Sequence, residues 1–133
     1  MNVAQLADQL RKDSMFMKDV TRWEVIPARR ARTAPFPACM DGRLKPALES
    51  RGIHELYIHQ VRSLEATDRG EDVTVVTPTA SGKTMCYNLP VLSAILKDED
   101  ARALYIFPTK ALSADQVSEL YDMIEEIGVD IKT

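Results

Sequence analysis

Between Val75 and Thr84 the chain reads VVTPTASGKT. Three adjacent residues there could act together on a polyanion. Gly82 lets backbone N–H groups approach closely, Lys83 supplies a cation and Thr84 a hydroxyl, which is what the β and γ phosphates of a nucleotide and their Mg²⁺ require at the positive end of a helix. The phosphate-loop pattern G-x-x-x-x-G-K-[ST] carries a glycine at its first position, and here that position is Thr77. It marks the exit of a strand, where a small residue suffices if its φ stays negative. Gly82 stands where contact with phosphate leaves no room for a side chain. Thr77 therefore departs from the pattern in form more than in chemistry.

Such a loop needs a strand before it and a helix after it, and the sequence supplies both. Asp72 to Val76 reads as a strand and Lys83 to about Leu96 as a helix. Pro90 inside that helix removes one hydrogen bond and should kink the axis, but Val91, Leu92, Ile95 and Leu96 continue the apolar pattern. Ala103 to Phe107 reads as a second strand, and about Ser113 to Ile127 as a helix. On that helix Val117, Leu120, Tyr121, Ile124 and Ile127 form an apolar stripe, with Glu119, Asp122, Glu125 and Glu126 facing water. Val129 to Lys132 looks like the opening of a third strand. Strands alternating with helices imply an α/β fold, a parallel sheet flanked by helices.

Upstream, Asn2 with Gln5 three residues later predicts a capped first helix. Thr21 to Pro46 holds four of the seven prolines and reads as an irregular arm lying across the domain. A short helix is expected from Leu44 to Ser50, stopping at Gly52, and another from about His59 to Thr67, with Val61 and Leu64 inward and Gly70 closing it. The expected division is an N-terminal helix and Pro/Arg-rich arm over residues 1–53, and the phosphate-loop domain over 54–133.

The 133 residues suit one domain with a single core, and 45% hydrophobic with 28% charged residues is ordinary globular composition. No apolar run reaches the length of a membrane span and the first residues lack a signal-peptide core, which points to the cytoplasm. Cys39 and Cys86 lie far apart without metal-ligand spacing and are expected to be small packed residues. The net charge of −3 hides an asymmetry: six basic residues against two acidic between Arg22 and Lys45, and nine acidic against three basic from Asp98 onward. The basic arm is expected to pack on the domain rather than bind nucleic acid. His54 and His59 have no partner at ligand spacing and read as surface or packing residues.

Two further segments complete an ordered set with the loop: LYIHQ, Leu56 to Gln60, before the first strand, and FPTKALSADQ, Phe107 to Gln116, at the end of the second. The set resembles the Q motif, motif I and motif Ia of the DEAD/DEAH-like superfamily 2 helicases. TPTASGKTMCYNLPVL, RALYIFPTKALSADQ and the upstream WEVIPARRARTAPFP are most similar to the bacterial mitomycin repair helicase family, which carries a C-terminal DUF1998 region. The resemblance implies a truncated RecA-like P-loop domain and an ATP-dependent, DNA-repair type helicase. Thr79, Ala80, Ser81, Gly82, Lys83 and Thr84 would wrap the ATP phosphates, with Thr84 helping to hold Mg²⁺. Gln60 would read the adenine edge and Tyr57 would stack on the base or pack in the core. Pro108, Thr109 and Lys110 would meet the backbone of a single strand, expected to be DNA in the full-length context.

Hydrolysis in this family also needs an acidic pair after a later strand and an arginine from a second domain. Asp98 to Ala101, DEDA, imitates the acidic pair but precedes the second strand, and reads as a charged turn. No other acidic pair with an apolar strand before it occurs up to Thr133. The chain is therefore expected to bind nucleotide without hydrolysing it or unwinding. The alternative is a stand-alone nucleotide- or nucleic-acid-binding regulatory module or a helicase remnant. An open sheet edge would also invite association with another chain.

Overall fold

Asn2 opens the first helix as its type predicts. Its Oδ1 accepts from the Gln5 N–H and Gln5 Oε1 accepts from the Asn2 N–H, each at 2.9 Å, which satisfies two donors left open at a helix start. This helix, α1, spans Val3–Lys12; Asp13 ends it and caps the short α2 (Ser14–Met17) by accepting from Met15 and Phe16. Arg11 lies 4.9 Å above the Trp23 ring, close enough for a cation–π contact. These elements belong to one compact unit, residues 1–30, and residues 31–133 form another. The computed structural model describes residues 2–27 and 30–131. Arg29 of the basic arm and Lys132 of the expected third strand lie outside the described residues.

The second unit contains β1 (Thr33–Ala34), α3 (Leu44–Ser50), β2 (Leu56–Tyr57), α4 (Ile58–Asp68), α5 (Lys83–Lys97) and α6 (Lys110–Ile127). Helices fall where the periodicity and glycines place them, with Gly52 and Gly70 at φ +75° and +77° beyond α3 and α4. α6 starts at Lys110 rather than Ser113, because Thr109 Oγ1 caps it by accepting from the Leu112 N–H at 3.2 Å. β1 and β2 pair antiparallel, Thr33 opposite Tyr57 and Ala34 opposite Leu56. The part of the arm from residue 31 onward thus packs on the domain. Met40 and Leu44 enter one core with Leu48, Leu56, Leu64, Leu89, Leu92, Leu96, Met123 and Ile124.

α4 and α5 form the main helix pair of this core. Pro90 sits inside α5 without ending it. A proline has no N–H, so the Cys86 carbonyl four residues back loses its helical donor. Ser63 on α4 replaces it: its hydroxyl donates to Cys86 O at 2.7 Å, in a site where Ser63 is 3% and Cys86 4% exposed. The other end of α5 is also held from outside. Arg43 donates to the Leu96 carbonyl and, at 2.9 Å each, to both carboxylate oxygens of Asp41. The Arg43 guanidinium and backbone N–H hold the Asp41 carboxyl down to about 2. Lys97 donates to the Cys39 carbonyl at 2.8 Å. Both cysteines are free, with thiol pKa values raised first by burial.

The expected parallel sheet is not formed. Among the described residues, 72–76 and 103–107 are neither strands nor partners in any backbone hydrogen bond outside the regular elements, and residues 129–131 form no third strand. Val76 is 90%, Leu104 86% and Ile106 84% exposed. Parallel strands are stable mainly as inner strands covered on both faces, and these two segments have no ladder partner on either side. The β-branched, apolar composition that suggests strands is present, but neither segment pairs with another among the described residues. The open sheet edge expected above accordingly does not occur in that form.

The apolar stripe of α6 also needs correction. Met123 and Ile124 are buried, at 1% and 6%, whereas Val117 and Tyr121 stay 40% and 45% exposed. The reason is positional: α6 packs on α3, while Val117 lines an open groove of about 780 Å³ beside Tyr105, Phe107 and Leu92. Asp122, Glu125 and Glu126 face water as expected.

Candidate phosphate-binding loop

The loop from Thr77 to Gly82 is closed by its own side chains. Thr77 Oγ1 and Ser81 Oγ share a hydrogen bond of 2.6 Å, and Lys83 Nζ donates to the Thr77 and Pro78 carbonyls at 2.9 and 2.7 Å. Thr77 is not among the residues of positive φ, so a side chain at the first position of the pattern costs no backbone strain. Its hydroxyl instead ties the two ends of the loop together. Two residues do take the left-handed region, Ala80 at φ +57° and Gly82 at φ +72°. Backbone that alternates between left-handed and right-handed residues is able to present successive peptide N–H groups as an anion-accepting concavity. A Cβ on Gly82 would lie 2.7 Å from Gln60 Nε2, so a side chain there would displace the Gln60 amide from the Gly82 carbonyl in addition to the strain at positive φ.

The first turn of α4 lies against this loop. Gln60 is 5% exposed; its Oε1 accepts from the Tyr57 N–H at 2.9 Å and its Nε2 donates to the Gly82 carbonyl at 2.9 Å. One amide hydrogen and one lone pair are left for a ligand. Tyr57 is 41% exposed, and its ring stacks on His59 with centroids 5.6 Å apart and planes 8° off parallel. His59 Nε2 lies 2.8 Å from the Ser81 carbonyl. The expectation that His59 is only a surface or packing residue is therefore corrected: it is bonded to the loop. The sequence signal was its place beside Gln60 in a helix's first turn; metal-ligand spacing could not reveal a carbonyl partner. Ala80, by contrast, gives no sign in sequence of its left-handed backbone.

Thr79 and Ala80 are exposed, and Lys83 and Thr84 are half-buried as the first two residues of α5. Pro108, Thr109 and Lys110 are exposed at the start of α6, with Thr109 using one of its two acceptor lone pairs on the cap and its O–H available to donate. The segment before them is anchored to α5, where Tyr105 donates to Asn88 Oδ1 at 3.1 Å and meets the Tyr87 ring edge-on at 5.9 Å, while Tyr87 in turn donates to Gln116 Oε1 of α6. Burial, with the neighbouring Tyr87 phenol adding to it, pushes the Tyr105 phenol up to about 12, so it stays protonated as the donor. Asp98 to Ala101 is a turn after α5, closed by the Asp100 N–H on Asp98 Oδ1 at 2.9 Å. No group of three metal-ligating side chains occurs among the described residues. Nor does any helix among them have the length and apolarity to cross a membrane.

Comparison with known proteins gives a consistent picture. Residues 57–133 match the DEAD/DEAH box helicase family. The chain is 52% identical over 125 residues to the ATP-dependent helicase YprA of Bacillus subtilis, covering 94% of this chain and 17% of that protein. It is 32% identical over 115 residues to the ATP-dependent helicase HRQ1 of Saccharomyces cerevisiae, covering 86% and 10%. The crystal structure of the DUF1998 helicase MrfA bound to DNA and AMPPNP superposes with a TM-score of 0.82 at 49% identity, over 100% of this chain and 18% of that one. The chain thus spans less than a fifth of these relatives, and its backbone follows a helicase path although the parallel ladder is absent.

Proposed function

The chain belongs to the DEAD/DEAH box helicase family, and from that premise we propose that it is the ATP-binding N-terminal segment of a DNA helicase of the repair type. In this reading residues 79–84 wrap the phosphates, and Lys83 exchanges the Thr77 and Pro78 carbonyls for β- and γ-phosphate oxygens. The observation that carries the proposal is this loop geometry, with an ammonium held across the mouth of a ring whose backbone already takes the left-handed turns. The resemblance to a helicase that binds DNA and AMPPNP supports it.

Tyr57 offers an exposed face to the base, and the unused amide hydrogen and lone pair of Gln60 would recognise the adenine edge. The donor set suits Mg²⁺ held mainly by the nucleotide, since Thr84 offers one hydroxyl and, among the described residues, no group of three metal-ligating side chains accompanies it. When bound, the ion would neutralise phosphate charge. Lys110 and the Thr109 hydroxyl, at the N-terminus of α6, would contact strand phosphates without reading sequence.

On this account the segment alone binds nucleotide and strand weakly and neither hydrolyses ATP nor unwinds. The test is ATP turnover by the 133-residue chain with single-stranded DNA present, beside fluorescence anisotropy of a labelled oligonucleotide. No turnover and weak, salt-sensitive DNA binding that weakens in Lys110→Ala are expected. Turnover that disappears in Lys83→Ala would contradict the incomplete-site reading, and DNA binding indifferent to Lys110 would remove the proposed strand contact.

A further inference from the structure

We propose that His59 is a positioning residue for the phosphate loop, setting the direction in which the Gly82 N–H is presented to an anion. The inference rests on the reading of residues 77–84 as a phosphate site and deepens it.

In a trans peptide the C=O and the following N–H point in opposite directions. A side chain that holds a carbonyl on one side of the chain therefore aims the next N–H at the other side. No peptide bond in the described residues is cis. The Ser81 carbonyl is held toward α4 by His59 Nε2 at 2.8 Å, and the Gly82 carbonyl by Gln60 Nε2 at 2.9 Å. Adjacent residues of one helical turn thus orient adjacent peptides of the loop. The two are not equally dependent on α4. Gly82 O also accepts from the Met85 N–H at 3.2 Å, inside the first turn of α5. Ser81 lies one residue outside that ladder, and His59 is the donor that reaches its carbonyl.

A carbonyl oxygen can only accept, so His59 Nε2 must carry the hydrogen. The Tyr57 ring lying parallel at 5.6 Å holds the imidazole plane toward the loop. His59 is half-buried and Tyr57 exposed, which leaves the outer face of Tyr57 for a base and gives His59 a role distinct from stacking. Ala80 and Gly82, at φ +57° and +72°, flank Ser81, the residue whose carbonyl His59 holds. A left-handed alanine reverts to commoner backbone regions unless its surroundings fix it, so loss of the bond should loosen residues 80–82 together.

The experiment compares the wild-type chain with His59→Phe, which keeps a ring against Tyr57 without a donor, and His59→Gln, which restores an N–H. Inorganic tripolyphosphate and adenosine are titrated separately by calorimetry. Tripolyphosphate affinity is expected to fall about tenfold in His59→Phe, in line with one oriented charge-assisted contact, and to recover largely in His59→Gln. Adenosine affinity should stay unchanged in both. A loss confined to adenosine, or none in either titration, overturns the proposal. If the wild-type chain binds no tripolyphosphate, the phosphate-site reading fails, and the orienting role is still decided by NMR on the free protein. There, ¹⁵N spectra should show the Nε2–H tautomer at His59, and the Gly82 amide should exchange faster in His59→Phe. Unchanged exchange at Gly82 in a folded His59→Phe overturns it, and so does the Nδ1–H tautomer, which is read on the wild-type chain whether or not the variant folds.

Discussion

Replacing Ser63 by alanine removes one hydroxyl from the α4–α5 interface, and its cost should depend on a residue it does not touch through its own side chain. In the wild type the Cys86 carbonyl has no helical donor, since residue 90 is proline, and the Ser63 hydroxyl at 2.7 Å replaces it in a site less than a twentieth exposed. Truncation leaves a buried acceptor unpaired, which costs about 1–3 kcal/mol. In a Pro90→Ala background the N–H of residue 90 can reach the Cys86 carbonyl, and Ser63→Ala should then cost less than about 1 kcal/mol. The double-mutant cycle should yield a coupling of about 1–2 kcal/mol. Urea unfolding followed by far-UV circular dichroism measures it. With a slope of about 2 kcal/mol per molar, the midpoint should drop by roughly 1 M on Ser63→Ala with Pro90 in place, and by less than half of that without it. Equal drops in both backgrounds would refute the idea that the hydroxyl replaces the proline's missing bond.

Gly82→Ala should cost about 1–3 kcal/mol of stability and at least tenfold in tripolyphosphate affinity, because the new Cβ lies 2.7 Å from Gln60 Nε2 at φ +72°. Gly128→Ala, at φ +71° with nothing within 4 Å, is the control: thermal melts should show about 1 kcal/mol lost and calorimetry no change in binding. The Asp41 carboxyl, held down to about 2 by Arg43 from an ordinary 3.8, contributes stability that is fully present above about pH 4. That contribution, discounted for the solvent around the exposed Arg43, should fade as pH falls toward 2, and Asp41→Asn should flatten this part of the stability profile measured by urea midpoints. Tyr105, pushed up to about 12, works in the other direction: its neutral form is favoured in the fold, so stability should fall as pH rises from 10 toward 12. Tyr105→Phe should remove that slope.

The helices and the loop were legible in the sequence because their signals are local. Asn2 with Gln5, Gly52, Gly70, and the apolar spacing through Val91, Leu92, Ile95 and Leu96 each act within a turn or two of the residues they organise. The strands were not, because a strand is defined by its partners. Residues 72–76 and 103–107 have strand composition, yet pairing is a relation between segments, and composition reports only one side of it. The site shows the same division. Gly82, Lys83 and Thr84 are candidates by type and spacing alone, and Thr77 is compatible with the loop because its φ is not positive. The bond of His59 to the Ser81 carbonyl joins residues far apart in sequence and could be seen only once α4 lay against the loop.

Whether this loop is a nucleotide site is tested most directly by calorimetric titration of Mg-ATP into the chain and into Lys83→Ala, with circular dichroism confirming that both are folded. Lys83 now bonds the Thr77 and Pro78 carbonyls, and its charge-assisted contacts to phosphate should contribute about 1.5–3 kcal/mol. The account predicts measurable binding by the wild-type chain and a loss of roughly ten- to a hundredfold in Lys83→Ala. Equal affinity in the two proteins, or no binding by a folded wild-type chain, would contradict it.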